Sequence, residues 1–177
     1  MPVTIRKMTD DEFETFYGWS IENHAKERVE QLHISQAEAI KQTIEEVAEM
    51  LPNGLNSPNN DLVTIVEEDS GESIGFIWTL HEENNGRKQS FLCDFAIWES
   101  KRRKGYASAA LHLAEENAKA AGCQESVLFV ADDNAAAKAL YEKCGYQPLR
   151  RKDHGQYMIK QLAMKLESDE VDYETVI

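Results

Sequence analysis

The stretch that most constrains this chain is Trp98-Glu99-Ser100-Lys101-Arg102-Arg103-Lys104-Gly105-Tyr106-Ala107, which leaves a β-rich run and enters an alanine-rich one with no proline and no long loop between them. A strand that passes straight into a helix and is followed by another strand must cross over the sheet, so the two strands pair parallel. The helix shows itself in Ala107, Ala110, Leu111, Ala114, Ala118 and Ala121, a face of mostly small side chains that permits close packing on a sheet, with Gly122 placed as a C′ glycine. The next strand is the short apolar run Ser126 to Ala131. The junction is also an anion site in outline. The first N–H groups of any helix lack partners within it and the macrodipole adds partial positive charge, so a phosphate is a natural ligand. Gly105 has no Cβ to hold a ligand off the backbone, and Lys101 to Lys104 are four bases in succession. A basic run by itself is as readily a solvated face; its place between strand and helix favours a diphosphate.

The flanking segments read as one mixed sheet with helices. Val3 to Met8 alternates as a short strand. Thr9-Asp10-Asp11-Glu12 matches a capping box ahead of Phe13, Phe16, Tyr17 and Ile21 at helical spacing, predicting a helix to about Val29 or Leu32. Ser35 opens a second helix whose stripe is Ala37, Ile40, Ile44, Val47, Ala48 and Leu51, stopping before Pro52. After a loop over 53–60, Leu62 to Glu67 and Ser73 to His81 flank Asp69-Ser70-Gly71 as a hairpin. A polar turn is predicted over Glu82 to Lys88 and a third long strand over Ser90 to Trp98, completing an antiparallel meander. Beyond the crossover, a helix from about Asn134 to Lys143 ends at Gly145, and Gln147 to Arg150 with Gln156 to Lys165 form a closing hairpin. The expectation is a mixed, mostly antiparallel sheet of six to seven strands with a parallel centre and about four helices. One domain spans 1–166, and 167–177, with five acids and no base, is read as a mobile tail.

Composition narrows the function. A net charge of −13 sets the average surface against nucleic acid. Cys93, Cys123 and Cys144 are odd in number and form no C-x-x-C, so they read as reduced thiols. With no apolar run of signal-peptide or membrane-span length, the expected location is the cytoplasm, with no membrane partner. His24, His33, His81, His112 and His154 show no ligand spacing, so no metal is expected, and neither a Walker nor a Rossmann glycine pattern is present.

Arg102-Arg103-Lys104-Gly105-Tyr106-Ala107 resembles the (Arg/Gln)-x-x-Gly-x-(Gly/Ala) acetyl-CoA loop of the GCN5-related N-acetyltransferase (GNAT) family. Phe95-Ala96-Ile97 is similar to that family's fourth strand. Asn134 followed by Leu140-Tyr141-Glu142-Lys143-Cys144-Gly145-Tyr146 resembles its Asn…Leu-Tyr-x-x-x-Gly-(Phe/Tyr) element. The order and spacing of the three make the likeness specific, and small uncharacterised bacterial members are the nearest in kind. Glu99 stands where a proline is frequent and Arg103 where a glycine is.

What the resemblance implies is an N-acetyltransferase that moves an acetyl group from acetyl-CoA to a primary amine by direct transfer in a ternary complex. Backbone N–H groups from Arg103 through Ala107 would hold the diphosphate, Arg102 and Lys104 would add charge, and the edge of Phe95-Ala96-Ile97, between splayed parallel strands, would pair with the pantetheine. Asn134 would bond the cofactor as well as cap its helix. Tyr141 would donate to the leaving thiolate, since a phenol of pKa near 10 stays protonated at neutral pH. A lysine-like amine is less than about 0.1% neutral at pH 7, so a base is needed. Asp94, an acid in an apolar strand, is the candidate; some members carry a glutamate earlier, where this chain has Phe91. The oxyanion donor would be a strand N–H near Ala96 or Ile97. The first two helices would shape the acceptor side, and a homodimer fits family habit. The acceptor stays open among polyamine, aminoglycoside, small amino compound and protein amine. Competing readings are a CoA-binding sensor without turnover and an interaction module using the acidic tail.

Overall fold

A computed structural model describes residues 2–162; the acidic stretch 167–177 lies outside the described residues. The elements in order are β1 (Val3–Lys7), α1 (Asp10–Leu32), α2 (Gln36–Met50), β2 (Asn60–Glu67), β3 (Ser73–Asn84), β4 (Arg87–Ile97), α3 (Tyr106–Ala120), β5 (Glu125–Ala131), α4 (Ala135–Lys143), β6 (Gln147–Lys152) and β7 (Gly155–Gln161). Seven strands form one sheet in the order β1-β2-β3-β4-β5-β7-β6. Among the described residues only β4 and β5 pair parallel; the other neighbours are antiparallel. The predicted mixed sheet and its four helices are therefore present.

Local chemistry sets the helix starts. Thr9 and Glu12 exchange both bonds of a capping box, 3.2 Å to the Thr9 hydroxyl and 2.9 Å from the Thr9 amide. Ser35 caps α2 through the Glu38 amide at 3.1 Å. Where β3 and β4 meet, the ladder runs on to Asn84↔Arg87, leaving only Asn85 and Gly86 for the turn; both have positive φ, 52° and 77°. The polar residues of 82–88 therefore extend the hairpin instead of interrupting it, because Asn-Gly suits a two-residue turn. Trp98, read as the end of a strand, instead caps a 3-10 turn over Glu99–Lys101.

The two faces of the sheet bury separate clusters. On one, α3 and α4 lay Tyr106, Ala110, Leu111, Ala114 and Tyr141 against Ile65, Ile77, Leu92, Ile97, Leu128, Val130 and Met158. On the other, α1 and α2 pack Phe16, Ile21, Val47 and Leu51 on Leu62, Phe76 and Trp78. Phe16 meets Phe76 at 4.9 Å and Trp78 at 5.8 Å, both edge-on, and burying a ring of this kind stabilises by roughly 1.5–3 kcal/mol.

Two departures from regular pairing shape the middle of the sheet. The β4–β5 ladder ends at Leu92↔Leu128, although β4 continues to Ile97 and β5 to Ala131, so the strands part there. At the same level the β3–β4 register passes from Thr79↔Leu92 to Trp78↔Asp94, leaving Cys93 as the extra residue of a bulge. An extra residue inverts the facing of the strand beyond it. Leu92 and Ile97 lie with α3, whereas Cys93 and Ala96 lie with α1, and Asp94 is delivered to the α1 face as well.

Candidate active site

The loop between β4 and α3 has the form of an anion cradle. Arg103 and Gly105 adopt left-handed backbone, φ 62° and 83°, and Gly105 is the N-cap of α3 with no side chain capping it. Alternation of this sort turns successive N–H groups toward one point. Among the described residues the amides from Arg103 to Ala107 donate to no backbone or side-chain acceptor. Residues 102–105 are exposed. The two departures from the family pattern gain a physical reading. A glycine at 103 would suit its positive φ, and a proline at 99 would suit the first position of the 3-10 turn, where an N–H is not needed.

The four bases divide their work. Lys101 turns back to Glu72 at 2.8 Å and Glu67 at 3.7 Å. Arg102 donates from Nε to the Ile97 carbonyl at 2.9 Å, tying the loop to the strand end. Arg103 and Lys104 are exposed and, among the described residues, unpaired. The Tyr106 hydroxyl donates to Glu67 Oε1, so its ring is buried as an anchor while its amide sits at the helix mouth. Ser70 and Tyr106 bonds, with Lys101 nearby, hold the Glu67 carboxyl below its usual range. Sequence reading passed over Glu67, which lies some forty positions upstream and carries no local signal.

The open edge of β4 is next to this cradle. Trp98 donates to Ile74 on the β3 side at 2.8 Å. By strand alternation the backbone groups of Phe95 and Ile97 face the other way, into the gap left by β5. The edge of Phe95-Ala96-Ile97 is thus available, with Phe95 and Ile97 rather than Ala96 presenting N–H groups. Gly75, paired with Ile97, supports this edge from behind: a Cβ there would fall 2.1 Å from the Ala96 carbonyl oxygen.

Tyr141 and Asp94 stand on opposite faces of the sheet at this gap. Tyr141 is buried on the α3 side, its ring edge-on to Tyr146 at 5.8 Å. Tyr146 is pinned by a 2.7 Å bond with Ser126 of β5. Burial above all, then the fields of Cys144 and Asp94, pushes the Tyr141 phenol up to about 12, and among the described residues its hydroxyl has no hydrogen-bond partner. On the α1 side the Ser20 hydroxyl donates to Asp94 Oδ2 at 2.6 Å, and His24 Nε2 lies 2.7 Å from Asp94 Oδ1. His24 Nδ1 is 3.4 Å from Glu27. Burial alone would lower the imidazole, but Asp94 and then Glu27 outweigh it and raise it to about 10. Sequence reading missed Ser20 and His24; their signal was two polar residues four apart on a stripe otherwise set by Phe16 and Ile21. Asn134 caps α4 by accepting from the Ala137 amide at 3.3 Å, and among the described residues its amide hydrogens have no partner. Cys93 is pushed well up by burial and then by Asp94, which disfavours its thiolate. Among the described residues no cluster could hold a metal ion, and no helix is long and apolar enough to cross a membrane.

A turn of the form of an anion cradle at a helix mouth, beside a parted parallel pair, is the arrangement expected of the acyltransferase class that the sequence motifs resemble. The profile of the acetyltransferase (GNAT) family matches residues 11–146. The chain is 34% identical over 146 residues to the uncharacterized N-acetyltransferase YdgE of Bacillus subtilis, covering 82% of this chain and 92% of that protein. The crystal structure of a putative acetyltransferase, YycN, from Bacillus subtilis superposes with a TM-score of 0.77 at 24% identity, over 93% of this chain and 99% of that one. The PaiA N-acetyltransferase of Thermoplasma acidophilum, solved in complex with coenzyme A, matches with a TM-score of 0.65 at 20% identity, over 91% and 99%. The chain belongs to the GNAT family and is an N-acetyltransferase.

Proposed function

We propose that the protein transfers the acetyl group of acetyl-CoA directly to a primary amine, with the loop Arg102 to Ala107 holding the diphosphate. The observation that carries the reading is the set of unpartnered amides between Arg103 and Ala107, two left-handed residues among them, at the foot of an open strand edge. Acetyl-CoA would supply an acyl group activated on sulfur. Arg103 and Lys104 add charge at the diphosphate, the amide hydrogens of Asn134 add a polar contact, and the backbone of Phe95 and Ile97 lines the pantetheine channel. One of those two N–H groups is placed for negative charge that builds on the carbonyl oxygen.

Tyr141 acts on the leaving side. With its phenol near 12 it stays protonated throughout the working range and offers its hydrogen to the departing sulfur. Against an ordinary thiol of about 8.5, full transfer is uphill, so the hydroxyl stabilises the sulfur chiefly as a donor. Asp94 acts on the acceptor side, its carboxylate aimed by Ser20 and His24, and takes the amine's proton directly or through water. A face-to-face arrangement suits transfer, because the two proton movements happen on opposite sides of the reacting carbon.

Thiol release with a panel of amines tests the reading. Tyr141→Phe lowers kcat at least tenfold with the affinity for acetyl-CoA unchanged; an unchanged kcat removes the phenol from the chemistry, and no amine-dependent release from the wild type leaves a CoA-binding sensor.

A further inference from the structure

Among the described residues, helices cover the α1 face of the sheet only over β2 to β4. Beyond the gap the strand register sets a row of side chains across the bare half. Leu128 and Val130 point to the α3 side, so Phe129 between them points to the α1 side, one step past the last β4–β5 pair and level with the Cys93–Asp94 bulge. Phe129 pairs with Tyr157, and Tyr157 pairs with Arg150. The rings of Phe129 and Tyr157 meet at 5.2 Å, and the Arg150 guanidinium lies 4.6 Å over the Tyr157 ring. Phe129 is 39% exposed, a large aromatic surface open beside the site. Gly155 makes room for it, since a Cβ there would come 2.5 Å from the Phe129 ring.

Charge identifies what this row can take. Arg151 is spoken for by Asp132 through bonds of 2.7 and 2.6 Å. Arg150 has no carboxylate partner among the described residues, although the chain carries a net charge of −13. A guanidinium stacked on a ring keeps its fork of N–H groups free for a carboxylate. Resting on the reading of Asp94 as the acceptor side, we propose that Phe129, Tyr157 and Arg150 bind the acceptor, and that the acceptor is an apolar amine of about tripeptide length ending in a carboxylate.

Length follows from the sheet. Two strand intervals, at about 4.8 Å each, separate the β4 level from the ring beneath Arg150, and the parted strands add to this. An extended chain spans about 3.3–3.6 Å per residue, so roughly three residues reach from Asp94 to the guanidinium. A free amino acid is too short. A polyamine would place an ammonium against Arg150. Pairing of a second copy along β6 is opposed by Pro148, by the bulge at Leu149 and by Arg150, Arg151 and Lys152 on that edge.

The test uses alanyl-phenylalanyl-alanine with a free carboxylate, its C-terminal carboxamide, and spermidine, each titrated into the CoA-loaded full chain for binding and, separately, assayed with acetyl-CoA for thiol release. A charge-assisted bond of this kind should favour the carboxylate about tenfold or more over the carboxamide, with spermidine weaker still. Arg150→Ala should bring acid and amide to within about twofold, the acid losing far more than the carboxamide, while leaving CoA affinity unchanged, and Arg150→Lys should restore part of the preference. Equal use of acid and amide, a preference for spermidine, no binding of any probe, or a dimer that Phe129→Ser dissociates would each overturn the proposal. Because binding is read separately from turnover, an unchanged kcat in Tyr141→Phe with the carboxylate preference intact would fault the chemistry and leave the acceptor assignment standing.

Discussion

Replacing His24 by glutamine separates the electrostatics of the Asp94 unit from its packing. In the folded protein His24 is held at about 10, against 6.5 in an unfolded chain. The stabilisation is therefore full below pH 6.5, falls as the pH rises and the unfolded chain releases its proton first, and is gone above about pH 10. At about 1.36 kcal/mol per unit the gap sets a ceiling near 5 kcal/mol. The His24 side chain is 33% exposed, so screening reduces this to roughly 1–2 kcal/mol. Glutamine can still donate to Asp94 but does not titrate. Urea unfolding of both proteins at intervals from pH 6 to 10, with m held common, isolates the effect as the difference between two curves. The wild type should lose about 1–2 kcal/mol more than His24→Gln across that window. Parallel curves would refute a charged His24–Asp94 pair in the folded state.

Other substitutions address the cofactor side. Glu67→Ala deprives the Tyr106 hydroxyl and Lys101 of their shared partner, so the KM for acetyl-CoA should rise severalfold with kcat little changed, and Glu67→Gln should recover much of it because an amide can still accept from the phenol; steady-state kinetics decides. Gly75→Ala drives a methyl against the Ala96 carbonyl, 2.1 Å away, and should cost about 1–3 kcal/mol, seen as a Tm lower by about 3–10 °C.

How far the sequence disclosed this arrangement depended on how local the physics was. Helix starts at Thr9 and Ser35 and the glycine at the mouth of α3 rest on neighbours within a turn, and they were legible. The crossover that makes β4 and β5 parallel followed from the order of strand and helix alone. The bulge at Cys93 was not legible, since no glycine or proline marks it and it exists only in the register with β3. Asp94 could be singled out as an acid in an apolar strand, but Ser20 and His24, seventy or more positions upstream, join it only once α1 is laid on the sheet. Lys101 read as one of four equivalent bases and is instead committed to Glu67 and Glu72. The Phe129–Tyr157–Arg150 row likewise needs three strands in register before it exists.

The central claim is that amides at the mouth of α3 grip a diphosphate. Calorimetry of the full chain with CoA, and with acetyl-pantetheine as the analogue lacking the diphosphate, tests it most directly. Saturable heat for CoA together with binding of acetyl-pantetheine weaker by about a hundredfold or more, as several charge-assisted bonds lost together require, is the predicted result. Equal affinity for the two, or no heat with CoA, would contradict the account.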